Sequence, residues 1–139
     1  MDFASILEGL KESNKNQKVL LCKPDTFRFL CKLEMRRMER GNGLPVAYTG
    51  LLFLVCNDPQ LQIEEVMEKF QQVLLGALRR SDVISRWSEN QFVLFFPGLD
   101  LEGAEKVMQR IEGIFKETFY AGEVSLYSSI NPLSPWENI

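Results

Sequence analysis

The chain has 139 residues, of which 45% are hydrophobic and 25% are charged, proportions that are typical of one folded globular domain. Its 16 basic and 19 acidic residues give a net charge of -3, which excludes the overall positive field that nucleic acid binding requires. The three cysteines form no CxxC pair and the chain has no histidine, so the sequence favours buried thiols at Cys22, Cys31 and Cys56 over a zinc site.

The N-terminal part of the chain predicts a helix, a strand and a second helix. Apolar residues recur every three or four positions in residues 2–13, as on one face of an amphipathic helix, and the apolar residues 19–22 predict a short strand. Asp25 is placed to cap the next helix, and Gly41 with Gly43 is placed to end it. No apolar run approaches the roughly 20 residues of a membrane helix, and the first residues lack signal-peptide order, so we expect a cytoplasmic protein.

The middle of the chain predicts a buried strand, a helix and a hairpin. Residues 46–56 are continuously apolar, which indicates a strand covered on both faces in the middle of a sheet. Residues 63–78 carry a helical apolar stripe that stops near Arg80. Residues 82–87 and 91–97 are apolar runs joined by three polar residues, which is typical of a hairpin with a short loop.

The C-terminal part predicts a last helix and strand and completes a recognisable order of elements. Asp100 is placed to cap the helix, residues 124–130 predict the strand, and residues 131–139 predict an irregular tail. From residue 46 onward the order is strand, helix, strand, strand, helix, strand, which matches the ferredoxin-like split βαβ core. The predicted fold class is therefore α/β, in the α+β sense, with a central antiparallel sheet and helices.

The hairpin segment LRRSDVISRWSENQFVLFFP resembles the signature region of GGDEF domains, which belong to the nucleotidyl cyclase type. In that family an Arg-x-x-Asp pair precedes Arg-Tyr, the GGDEF tip and an apolar strand. The matching positions, with a tryptophan in place of the tyrosine, are Arg79, Asp82, Arg86, Trp87 and Phe92. The segments DTFRFLCKLEMRRMERGNGLPVAYTGLLFLV and VSLYSSI are similar to the family's leading helix with first strand and to its closing strand.

The resemblance covers most of the chain from Asp25 onward and implies one domain over residues 1–139. Residues 1–24 would form the N-terminal helix and short strand, residues 25–130 the core, and residues 131–139 the irregular tail. More narrowly, CKPDTFRFLCKLEMRRMER together with the hairpin segment resembles degenerate GGDEF-like domains attached to large bacterial transcriptional activators and response regulators.

The tip departs from the active family. Active members, the resemblance implies, bind GTP with magnesium and join two subunits to make cyclic di-GMP by phosphoryl transfer. The two tip glycines correspond to Ser88 and Glu89, and Glu89 brings bulk and negative charge to the place of the triphosphate. The acidic pair corresponds to Asn90 and Gln91, which are poor magnesium ligands beside carboxylates.

The other parts of the site also differ between this chain and the active family. Val55 lies near the position of the family's metal-binding aspartate, and Asp58, in the following turn, would have to reach back to replace it. The segment NDPQLQIEEV is shorter than the family's and lacks its guanine-binding asparagine. We therefore expect no catalytic residue, no metal, no cofactor and no diguanylate cyclase activity. The expected function is a regulatory or interaction domain that contacts another domain or subunit, with a homodimer as one form.

Two residue pairs of the hairpin allow alternative interpretations. In this family the spacing of Arg79 and Asp82 can form an inhibitory site for cyclic di-GMP, where guanidinium and carboxylate would grip the nucleotide. The simpler interpretation, which we favour, is a solvated cation at a helix end and a turn residue that opens the strand. Arg86 and Trp87 are strand neighbours that face opposite ways, so core packing is expected for Trp87.

Overall fold

The computed structural model describes residues 2–11, 19–40 and 47–133. In chain order these residues form α1 (Phe3–Gly9), β1 (Leu20–Cys22), α2 (Pro24–Glu39), β2 (Ala47–Cys56), α3 (Ile63–Ala77), β3 (Val83–Ser88), β4 (Gln91–Pro97), α4 (Leu101–Thr118) and β5 (Val124–Pro132). None of the helices in the described ranges is long and apolar enough to cross a membrane.

The strands form one five-stranded sheet in the order β1-β3-β4-β2-β5. β1 pairs with β3 in parallel, whereas β2, β3, β4 and β5 pair antiparallel. The predicted split βαβ core is therefore confirmed from β2 onward. The prediction that residues 46–56 form the middle strand is wrong, because β1 adds to the far edge of the sheet and leaves β4 in the middle; residue 46 lies outside the described residues.

Helices α3 and α4 cover one face of the sheet and enclose the main core. Phe70 of α3 lies at its centre, with ring centroids 6.2 Å from Phe92, 5.6 Å from Phe115 and 6.1 Å from Phe119. Every residue of β4 between its two ends is buried, as the predicted apolar strand requires. Strands β3 and β4 of the hairpin are part of this packed sheet, which fixes where the hairpin tip lies.

The opposite face of the sheet is only partly covered. Helix α2 packs Phe27 and Cys31 against residues of β3 and β4, including Val93, in a second and smaller core. The start of β2 also belongs to this core, but farther along the strand the same face is uncovered, since Leu51 is 42% exposed and Phe53 is 38% exposed. The prediction that this strand is covered on both faces is therefore wrong, because an apolar run does not reveal how far a single helix extends across a sheet.

The N-terminal cap of α4 is the residue predicted from the sequence, whereas that of α2 is a different residue. Asp100 caps α4 as predicted, its Oδ1 accepting a hydrogen bond from the Gly103 amide at 2.7 Å. In α2 the N-cap is Lys23, and Asp25 lies in the first turn, where it accepts from Arg28 at 2.9 Å. The predicted cap at Asp25 is wrong because the proline at the first helical position starts the helix earlier. The predicted glycine stop at residues 41 and 43 lies outside the described residues.

The chain ends and the cysteines differ in part from expectation. β5 continues through Pro132, two residues beyond the predicted strand, while residues 134–139 of the predicted irregular tail lie outside the described residues. Cys31 is buried, and this burial raises the pKa of its thiol to about 11. Cys22 and Cys56 are only half-buried, so the expectation of three buried thiols is wrong for these two.

Candidate functional site at the β3–β4 hairpin

Arg79 and Asp82 form a closed ion pair in the turn that leads from α3 into β3. The Asp82 carboxylate accepts from the Arg79 backbone amide at 2.8 Å, from its Nε at 3.0 Å and from its Nη2 at 2.7 Å. The backbone closes the same turn, because the Asp82 amide donates to the Arg79 carbonyl at 3.0 Å. The charges of Arg79 and Asp82 are therefore paired and hydrogen-bonded to each other within a stretch of four residues.

The burial of this pair differs sharply between its two members. The Asp82 side chain is fully buried, whereas 37% of the Arg79 side chain is exposed. Arg79 Nη2 also donates to the Pro97 carbonyl at 3.3 Å, which joins the turn to the end of β4. Both oxygens of Asp82 accept hydrogen bonds from Arg79 and the side chain is fully buried, so a nucleotide could reach this carboxylate only if the turn opened. The geometry favours the interpretation of Asp82 as a turn residue that opens β3. The Arg79 side chain is held by hydrogen bonds to Asp82 and Pro97, which a freely solvated cation would not make.

Arg86 and Trp87 point to different parts of the molecule, as strand neighbours should. Arg86 donates to both carboxylate oxygens of Glu64, at 2.9 Å and 2.7 Å, and so links β3 to the first turn of α3. The side-chain hydrogen bond from Arg86 lowers the pKa of Glu64, and the same bond raises the pKa of Arg86. Trp87 packs its ring 5.9 Å from that of Phe27, and the guanidinium of Arg28 lies 4.5 Å from its centroid.

The hairpin tip is a two-residue turn that bonds to the neighbouring strand. Ser88 pairs with Gln91 across the turn, and Ser88 Oγ lies 2.8 Å from Gln91 Oε1. Asn90 is tied to β2 twice, because its Nδ2 donates to the Leu54 carbonyl at 3.2 Å and its own carbonyl accepts from the Leu54 amide at 2.9 Å. Glu89 is exposed, and its carbonyl accepts from Arg86 at 3.4 Å.

The turn is built without the conformational freedom of glycine. Among the described residues, positive φ angles occur only at Gly98 and Gly122, so Glu89 and Asn90 both keep ordinary negative values. The register shifts between Arg86 and Ser88, which places an irregularity in β3 just before the turn. A tip of this kind has side chains where the resemblance would place two glycines.

The residues near the position of the family's metal site do not fit magnesium. The Val55 side chain has no oxygen to offer, and Asn57 Nδ2 donates to Ser125 Oγ at 2.8 Å. Asp58 accepts from the Gln60 amide at 2.9 Å in its own turn and does not reach back toward the tip. Across residues 2–11, 19–40 and 47–133 no group of three or more His, Cys, Asp or Glu side chains could hold a metal ion.

A surface cavity lies beside the hairpin, on the uncovered part of the sheet. Its volume is about 520 Å³, and its lining includes Leu51, Phe53, Trp87, Gln91 and Tyr127. The rings of Phe53 and Tyr127 are 6.3 Å apart across β2 and β5. Sequence reasoning missed this surface and also the partners of Arg86 and Trp87. The one sequence signal for this surface was the alternation of side-chain directions along VSLYSSI, which places the tyrosine on one face of its strand.

Comparison with protein families identifies the chain over the part that contains the hairpin. Residues 61–130, just over half of the chain, match the model described as "Diguanylate cyclase, GGDEF domain". The chain belongs to the GGDEF family. A comparison with curated proteins gave no match.

Solved structures of GGDEF domains have the same fold as this chain. A DGC protein from Thermotoga maritima is 22% identical, with a TM-score of 0.58 and coverage of 84% of each chain. The FimX GGDEF domain from Pseudomonas aeruginosa is 15% identical, with a TM-score of 0.67 and coverage of 86% of this chain and 79% of that chain.

A third neighbour was solved together with a protein partner. The diguanylate cyclase SiaD, in complex with its activator SiaC from Pseudomonas aeruginosa, is 17% identical with a TM-score of 0.61. The match covers 93% of this chain and 52% of that one, so this GGDEF domain spans about half the length of SiaD.

Proposed function

We propose that this GGDEF domain does not synthesise cyclic di-GMP and that it serves as a regulatory or interaction domain of a bacterial transcriptional or signalling regulator. The observation that carries the proposal is the bonding of the hairpin tip. Asn90 stands in place of an acidic residue, and its side-chain amide donates a hydrogen bond to the Leu54 carbonyl. Val55 lies near the position of the family's metal-binding aspartate. A tip with these groups cannot hold magnesium over a triphosphate.

The charge at the tip supports the same conclusion. Glu89 is exposed at the turn, so its carboxylate would meet the phosphates of an approaching nucleotide and repel them. Arg86, the nearest cation on β3, is engaged by both oxygens of Glu64. Positive charge that could attract a triphosphate is thus already neutralised beside the tip.

The proposed lack of catalysis is tested by incubating the purified chain with GTP and either magnesium or manganese. Product analysis by chromatography and mass spectrometry is expected to find no cyclic di-GMP, while an active diguanylate cyclase assayed in parallel forms it. Formation of cyclic di-GMP that disappears in Asn90→Ala would overturn the proposal and place chemistry at the tip.

The proposed regulatory role is tested by reading the coding sequence on both sides of these residues. We expect a DNA-binding or receiver domain in the same protein, because a domain without chemistry of its own acts through the parts that it contacts. The complex of SiaD with its activator SiaC makes a protein partner a reasonable expectation for this fold. A gene that encodes only this domain, with a product that binds no partner, would contradict the role.

The alternative function, a receptor for cyclic di-GMP at Arg79 and Asp82, has less support. Binding would require the fully buried Asp82 carboxylate to leave three hydrogen bonds from Arg79. Titration calorimetry with cyclic di-GMP is expected to show no binding. Heat that is present with the native chain and absent with Arg79→Lys would instead establish the receptor, because lysine keeps the charge and loses the planar fork.

A further inference from the structure

The two edges of the sheet differ in length and protection. β1 forms one edge with only three residues, whereas β5 forms the other with nine, and its sequence VSLYSSINP contains no charged residue. Its register with β2 runs without a bulge from one end to the other. Soluble proteins usually protect a long edge with charge, bulges or a covering segment. Within the described ranges no strand pairs with the outer edge of β5.

The hydrogen bonds to β2 show which backbone groups of β5 point outward. The Asn57 amide donates to the Glu123 carbonyl at 2.8 Å, and the Leu133 amide donates to the Ala47 carbonyl at 3.0 Å. Bonding alternates along an antiparallel ladder, so the odd-numbered residues of β5 bond to β2. The backbone groups of the even-numbered residues of β5 therefore face away from the sheet, and they include the N–H and C=O groups of Leu126, Ser128 and Ile130.

The outer edge is complementary to itself. When two copies of β5 run antiparallel about a two-fold axis at Ser128, each Leu126 lies opposite Ile130 of the second copy, on the α4 side. On the open side each Tyr127 lies opposite Ser129. Apolar residues thus meet apolar residues, no charges are opposed within the strands, and the pairs of Leu126 with Ile130 and of Ser128 with Ser128 can each exchange two hydrogen bonds.

We propose that β5 is a homodimerisation edge, through which two copies join antiparallel about Ser128 into one continuous sheet. The partner in this proposal is a second copy of the same chain. The proposal rests on the interaction role proposed above and not on the lack of cyclase activity. A two-fold arrangement uses the same patch on both copies, which an edge strand with a self-complementary sequence provides.

Side chains beside the edge gain from this pairing. Leu126 and Ile130 are only partly buried against the main core, and a facing strand would cover them further. Tyr127 is 60% exposed, and its ring lies at a tilt beside that of Phe53 next to the edge. The two Tyr127 rings become diagonal neighbours across the new ladder, at a spacing of roughly 7–8 Å that aromatic side chains can bridge.

One interaction opposes the pairing and gives a sharp test of it. Ser128 Oγ donates to Glu112 Oε1 of α4 at 2.8 Å. Because Ser128 lies on the proposed axis, the two Glu112 carboxylates would lie near each other and repel. The variant Glu112→Gln removes the charge and keeps an acceptor for the Ser128 hydroxyl, so we expect it to strengthen self-association by about threefold or more.

Sedimentation of the native 139-residue chain over a range of concentrations measures the association directly. We expect the apparent mass to rise from 16.0 kDa toward twice that value. Ser128→Pro removes an outward N–H from each copy without breaking a bond to β2, and it should weaken dimerisation at least about tenfold. The matched control, Ser128→Ala, keeps the N–H and should stay within about threefold of the native chain.

Hydrogen exchange locates the interface even if the proline variant fails to fold. The amides of Leu126, Ser128 and Ile130 should exchange more slowly as concentration rises, while those of Tyr127 and Ser129 stay protected at every concentration. A chain that remains monomeric, or a dimer that shows no such alternation and is not strengthened by Glu112→Gln, would overturn the proposal. Neither result bears on the product assay for catalysis, so the two proposals fail separately.

Discussion

The turn of Arg79 and Asp82 and the tip at residues 88–91 lie at the two ends of β3, and the protein uses them differently. At the turn, a fully buried carboxylate is bound three times by one arginine, so the motif belongs to the structure of the fold. At the tip, exposed and half-buried polar residues close a short turn, and the Asn90 side chain bonds to the Leu54 backbone of the neighbouring strand. A sequence signature can therefore persist at one end of a strand, where it stabilises the fold, while the residues at the other end differ from it.

The largest expected effect concerns the turn. Asp82→Ala removes the buried acceptor of three hydrogen bonds and leaves Arg79 without its counterion, which should lower the free energy of unfolding by about 3 kcal/mol. The matched change at the tip, Glu89→Ala, removes an exposed carboxylate and should stay within about 0.5 kcal/mol of the native chain. Urea unfolding followed by circular dichroism measures both. Equal effects at the two ends would contradict the comparison.

A smaller effect is expected where the tip meets β2. Asn90→Asp, which restores an acidic residue, loses the donor to the Leu54 carbonyl and places a carboxylate beside that oxygen, at a cost of about 1–2 kcal/mol. Gln91→Glu introduces the same charge one residue later and should cost less, because the Gln91 side chain lies beside the Ser88 hydroxyl, which can donate to a carboxylate. Thermal unfolding of the two variants compares them. If both lose the same stability, the Asn90 bond is not what stabilises the tip.

The smallest effect concerns the ion pair of Arg86 and Glu64, which joins the tip region to α3. Because the pKa of Glu64 is lowered in the folded state, its contribution to stability is present above the ordinary value of 4.5 and is lost as the pH falls through the lowered value. Glu64→Gln should therefore lower the melting temperature slightly near pH 7, and the difference from the native chain should vanish in acid. A difference that persists at acid pH would show that the pair is not responsible.

The fold was largely predictable from local patterns, and the environment of the site was not. The apolar periods of α3 and α4 and the polar interruption between β3 and β4 were sufficient to place the core elements. By contrast, the partner of Arg86 lies 22 residues away and the partner of Asn90 lies 36 residues away. Such contacts follow from strand order and helix placement, which no local period encodes.

The sequence by itself determined the family resemblance, the split βαβ order and the presence of Asn90 and Gln91 at the tip, because these depend on residue identity and short-range spacing. Tertiary structure alone decided that β4 is the middle strand, that Leu51 and Phe53 are exposed, and that no strand of the described ranges pairs with the outer edge of β5. The physical reason is that burial depends on which elements cover a surface. A hydrophobic side chain is more stable when it is buried, but only the packing of the folded chain determines whether it is buried.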